Sequence, residues 1–157
     1  MMEQIKKRIK FKAQAMIEGP VAFLLAFLMF IFIVEFALYF KAVHSNQTFA
    51  DDTSANVSSY SSDDKEKICK APDGELIDII ENRAQRYLNG KIKLDIVHST
   101  SDLLILKSVN NNILTVNIIC SNNEGYIVRS EYKFEGLFAL RIGQPISSIS
   151  SVQTPRF

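Results

Sequence analysis

Histidine, cysteine and glycine are scarce in this chain of 157 residues, with two, two and six copies. Each shortage closes off a chemistry. His44 and His98 lie far apart in sequence, and neither stands at metal-ligand spacing from another candidate ligand, so no metal site is expected. No HExxH, GxSxG or phosphate-cradling glycine loop occurs, which leaves hydrolytic and nucleotide chemistry without a motif. No internal repeat is present, and the Ser-rich tracts at 58–62 and 147–151 read as polar surface and edge strand. The chain is therefore read as non-enzymatic, with no cofactor. A net basic charge is also missing outside the first twelve residues. There Lys6, Lys7, Arg8, Lys10 and Lys12 outweigh Glu3, while the whole chain carries only +1, so the remainder is net negative. A nucleic-acid module concentrates its basic charge in the folded part, so nucleic acid is excluded as a partner.

What the chain does have is one long apolar run, GPVAFLLAFLMFIFIVEFALYF, from Gly19 to Phe40. As a helix it covers roughly 33 Å, enough to cross a hydrocarbon layer of about 30 Å. The basic tail before it places the N-terminus in the cytoplasm and everything after it outside. The run is longer than a usual signal-peptide core. Phe40-Lys41-Ala42 after it is a poor site for signal peptidase, so the span is expected to be kept.

Two acids punctuate this helix. Glu18 directly precedes the apolar run and Glu35 interrupts it. A carboxylate at mid-bilayer costs about 2.5–3.5 kcal/mol, so acids there tend to have a partner or a task. The plainer reading makes Glu18 interfacial and lets Glu35, roughly 7.5 Å along the axis from Phe40, snorkel to the outer surface. Seventeen helical steps leave the two about 100° apart around the axis. They do not form one catalytic pair.

Gln14-Ala15-Met16-Ile17-Glu18, the apolar run and Val34-Glu35-Phe36 together resemble the N-terminus of TadE-like proteins. These are minor pseudopilins of tight-adherence pilus systems, relatives of type IVb pilins. The resemblance extends to the strands at Val128–Phe134 and Ile149–Val152 and touches the middle of the chain only in outline. It implies a prepilin-type processing site between Ala13 and Gln14, which would make Glu18 the fifth residue of the mature helix. Ala13 stands where the family usually has glycine, and Pro20 lies nearer the start than the family's proline. It also implies that Glu18 and Glu35 serve subunit assembly. The implied partners are the inner membrane, other pilin and pseudopilin subunits, the pilus assembly platform and a prepilin peptidase. The location implied is the bacterial inner membrane with a periplasmic C-terminal domain, or an extracellular pilus.

Beyond the span, residues 41–64 are rich in weak helix formers. Yet Ala42, Phe49, Val57 and Tyr60 share a helical stripe that Asn46 and Thr53 complete, so helix is expected to about residue 60. Asn46-Gln47-Thr48 and Asn56-Val57-Ser58 match the glycosylation sequon, a pattern common by chance. Cys69 and Cys120 both fall on the exterior side, where an even pair points to a disulfide; the other reading is two separate thiols. Closing that loop is worth about 4 kcal/mol by chain entropy. A second helix is expected from Asp73, as N-cap, to Asn89, with Leu76, Ile79, Ile80, Ala84, Tyr87 and Leu88 as its apolar stripe. Strands follow at Lys91–Ile96, Leu103–Lys107, Ile113–Cys120, Tyr126–Phe134 and Ile146–Thr154.

The fold class expected is α+β and pilin-like: a long N-terminal transmembrane helix, one short helix and an antiparallel sheet. Its parts are a basic leader (1–13), a long helix (14–60) that includes the span 19–40, and an exported globular domain (61–157). Three functions fit this outline: a minor pilin or pseudopilin, a major type IVb pilin, or a signal-anchored binding subunit or enzyme of the cell envelope. The leader supplies the first test. N-terminal sequencing of the protein from its native membrane should read Gln14 first; recovery of Met1, or a start after Ala42, would contradict prepilin-type processing.

Overall fold

The computed structural model describes the backbone of residues 2–60, 65–88, 90–109, 113–121, 125–134 and 146–152. Side chains are described from residue 18 onward within these ranges, except 60, 65–67, 121, 151 and 152. The chain divides into two compact units, Met1–Leu38 and Tyr39–Phe157. Helix α1, Met2–Tyr60, supplies the first unit and also opens the second.

The first unit is helix alone. Pro20 lies inside it and forgoes one ladder hydrogen bond, a loss that membrane helices tolerate. Its apolar side chains face outward: Phe23 is 75% exposed, and Leu24, Met29, Phe32 and Ile33 are also exposed. Side chains that cannot be buried within the chain need a non-aqueous surrounding. By length and composition this is a helix able to span a membrane.

The second unit is α+β. It holds the remainder of α1, then α2 (Lys65–Lys70), α3 (Gly74–Leu88) and five strands. These are β1 (Leu94–Ser99), β2 (Leu103–Ser108), β3 (Leu114–Ser121), β4 (Gly125–Tyr132) and β5 (Ile146–Val152). All neighbours are antiparallel, and the spatial order follows the chain, β1-β2-β3-β4-β5. Gly125 opens β4 with φ 93°, a left-handed conformation that glycine takes without steric cost. The register shifts between Ile96 and His98, an irregularity that interrupts the β1 edge, where Val97 is 60% exposed.

Helix α3 begins where Asp73 accepts the first turn's hydrogen bonds from Leu76 and Ile77. It buries Leu76, Ile80, Ala84 and Leu88, a stripe at i, i+4 spacing. These residues join Leu104, Leu106, Val116, Ile118 and Val128 of the sheet in one core with Phe49 and Val57 of α1. Glu81 accepts a hydrogen bond from the Leu94 backbone at 2.7 Å, and Arg83 pairs with Asp52 at 2.6 Å. The first bond ties α3 to β1 and the second ties it to α1. Cys69 and Cys120 form a disulfide that staples α2 to β3.

The inner face of the sheet changes character from one side to the other. One cross-strand row reads Leu106, Val116, Ser130, Ser148; the next reads Leu104, Ile118, Val128, Ser150. Aliphatic positions on β2 and β3 thus give way to serine toward β5. There α1 contributes polar groups of its own. Asn46, wholly buried, donates from Nδ2 to the Ile146 carbonyl at 3.1 Å and to Ser148 Oγ at 3.0 Å. Its Oδ1 accepts from Ser130 Oγ at 2.9 Å. Ser54 and Ser150 hydroxyls meet at 2.9 Å. One amide therefore joins the helix to two strands with both of its ends engaged.

Three differences from the sequence reading follow. β1 runs Leu94–Ser99 where Lys91–Ile96 is expected, and Ile96, read as part of an inner face with Ile92 and Leu94, is 44% exposed. The short α2 was not foreseen. The tract at 147–151, read as polar surface, contains Ser148 buried to 4% exposure. Asn46, first of the two sequons, lies in the interior and cannot receive a glycan.

Asn46→Ala should destabilise the packed unit by about 2–4 kcal/mol, since Ser130, Ser148 and the Ile146 carbonyl all lose a buried partner. Gln47→Ala, at the neighbouring and only partly buried position, should cost clearly less, about 1 kcal/mol or below. Urea titration of the detergent-solubilised full chain, disulfide intact, measures both.

Candidate functional site

The candidate site is the surface of α1 in the first unit, with its two acids. Glu18 is exposed at the start of the apolar stretch. Glu35 is 0% exposed. Ile31, Val34 and Leu38 are partly buried too, and with Glu35 they form a stripe at i, i+3, i+4, i+7 spacing. Phe32, Ile33 and Phe36, on the remaining surface, stay exposed. Along the axis the two carboxylates are separated by roughly 25 Å. Proton transfer between them is out of reach.

Ala13 and Gln14 lie within α1, and their side chains are outside the described residues. Cys69 and Cys120, the remaining site residues, are joined to each other and serve the fold.

Elsewhere the described residues offer little to a reacting molecule. No three His, Cys, Asp or Glu side chains among them cluster as metal ligands. His44 and His98 are both exposed, one on α1 and the other on β1. The titrating group that stands out is Tyr126, 1% exposed on the inner face of β4. Burial raises its phenol above the usual 10.0, because the charged form loses its water. Its hydroxyl has no hydrogen-bond partner among the described residues. No acid or base accompanies it, so the perturbation is a property of the core.

Sequence reasoning found both acids from their interruption of an apolar run. It missed Asn46, Ser130 and Ser148 as a unit, because nothing local distinguishes a buried amide from a solvated one. Comparison with protein-family profiles, with curated proteins and with solved structures finds no match for this chain.

Tyr126 gives a pH-dependent prediction. Its folded pKa is raised, so its contribution is intact below the unfolded value near 10 and is lost as pH rises beyond it. Thermal unfolding of wild type should therefore drop more steeply above about pH 10 than that of Tyr126→Phe. At pH 7 the variant should be at least as stable, since it removes a hydroxyl without a partner; equal alkaline slopes would contradict the assignment.

Proposed function

We propose that this chain is a minor pilin or pseudopilin, a non-enzymatic subunit that helps start or assemble a tight-adherence type IV-like pilus. The observation that carries the reading is the position of Glu18, an acid on the exposed surface at the beginning of a helix whose apolar side chains are exposed around it. An acid meant for a neighbouring subunit must be reachable from outside, and Glu18 meets that condition. The disulfide supports an oxidising location for the packed unit, in keeping with a cytoplasmic basic tail and a periplasmic domain.

The mechanism is physical. In lipid, helices associate through packing and polar contacts, because water exclusion no longer drives them together. Removal of residues 1–13 by a prepilin peptidase creates an α-amino group at Gln14, about one helical turn before Glu18. Glu18 of one subunit then pairs with the amino group of the next, which offsets the cost of a carboxylate in hydrocarbon and fixes axial register. Glu35 plays a second register role nearer the outer face. The packed unit selects which subunits of the fibre or assembly platform stand beside it.

Glu18→Ala should leave the protein inserted and folded but reduce assembly sharply, because removing one member of a low-dielectric pair costs on the order of 3–5 kcal/mol. Glu35→Ala should reduce assembly less. Site-specific cross-linking to pilus or platform subunits, normalised to inserted protein, measures the two. If Glu18→Ala assembles like wild type, the pilin-like reading falls and an anchored binding subunit becomes the better one.

A further inference from the structure

The end of the packed unit nearest residue 39 carries a group of side chains that neither the core nor the assembly reading uses. Tyr39 and Phe40 close the apolar run, and Lys41 is the first cation after it. Nearly a hundred positions later, β4 ends at Tyr132 and the chain continues through Lys133 and Phe134. The Lys133 backbone donates to the Ile113 carbonyl at 2.8 Å, which holds this exit against the start of β3. Phe134 then meets Tyr39 edge to face, ring centroids 6.0 Å apart. Tyr39 in turn lies edge to face with Phe40 at 6.3 Å. Tyr39 and Phe134 are half-buried, Phe40 is 57% exposed, and Lys41 and Lys133 are both exposed.

We propose that Tyr39, Phe40, Lys41, Lys133 and Phe134 form a seat by which the packed unit rests on an anionic phospholipid surface, at the leaflet where α1 leaves the membrane. The inference depends on α1 spanning the bilayer. Given that, residues 39–41 cannot avoid the interface, because the apolar stretch ends there at about the thickness of the hydrocarbon layer. Aromatic rings are favoured at that depth, where one end is apolar and the other wet. A phenylalanine drawn from a distant strand into the same cluster brings a second part of the domain to the same level. The two lysines carry their charges on long stems and reach the headgroups beside the rings. Near an anionic leaflet each is worth roughly fivefold in affinity, so together they bias the unit toward the seated state by more than about tenfold.

The chain has no tryptophan, so one introduced indole reports its own depth. Full-length Phe134→Trp is reconstituted into phosphatidylcholine vesicles with and without phosphatidylglycerol, and quenching by headgroup-attached nitroxide lipid is recorded. Lys133→Trp, at an exposed position, is the second reporter in case Phe134→Trp fails to form its disulfide. Ile149→Trp, on β5 at a site 58% exposed, is the reference. Quenching at position 134 or 133 should exceed that at 149 several-fold and should rise with phosphatidylglycerol. Adding Lys41→Gln and Lys133→Gln to Phe134→Trp should abolish that rise. Equal quenching at 134, 133 and 149 in protein that resists carbonate extraction would overturn the seat and leave the spanning helix intact. Extraction by carbonate would overturn both. A strong signal that ignores phosphatidylglycerol would overturn the anionic surface as the partner.

Discussion

A single helix in this protein carries two kinds of surface, and the rest of the structure follows from how α1 divides them. Its backbone serves both alike, since every interior peptide group is bonded within the helix and asks nothing of lipid or water. The side chains cannot be so uniform. From Gly19 through Leu38 they are apolar around most of the circumference, as a span requires. Beyond Tyr39 only one stripe is buried, and it is mixed: Asn46, Phe49, Ala50, Thr53, Ser54 and Val57. Small and polar residues alternate there with large apolar ones.

The opposing surface of the sheet is matched to that stripe. Leucine and isoleucine lie where α3 and α2 complete the core, and serine lies where α1 contributes Asn46 and Ser54. A hydroxyl is short enough to keep strand and helix close while giving the amide its partner. An apolar side chain at Ser130 or Ser148 would leave Asn46 buried with bonds unmade, which costs more than the bonds themselves contribute. The polar match fixes the position of the helix along the strands more tightly than aliphatic packing alone.

Much of this fold could be read from the chain, and the parts that could not share a cause. The span, α3 and strands β2 to β5 rest on local periodicity, and residues such as Leu76, Ile80, Leu104 and Leu106 reveal their faces within a few positions; β1 misled, because its alternation at Ile92, Leu94 and Ile96 does not hold at the exposed Ile96. The continuation of α1 to Tyr60 was legible from a faint stripe despite poor helix formers. Asn46 was legible as a member of that stripe but not as a clamp, because its partners stand 84 to 102 positions away. Ser148 looked solvated for the same reason: serine reads as surface until something polar is found opposite it. The burial of Glu35 was equally hidden, since proximity to the end of the run favours snorkelling on local grounds.

The order of the strands bears on how the domain comes into being. Each strand pairs with the one next to it in the chain, so the sheet can grow one hairpin at a time; the first three connections are three to five residues long and the one into β5 is thirteen. The helix is different. It is made first, yet the carbonyl and hydroxyl that satisfy Asn46 belong to β5, 100 and 102 positions downstream. Until that strand arrives, Phe49 and Val57 can pack on the core, but Asn46 lacks its β5 partners and stays hydrated. The last strand therefore works as a latch, and a chain whose helix is fully docked is one whose synthesis has passed Ser148.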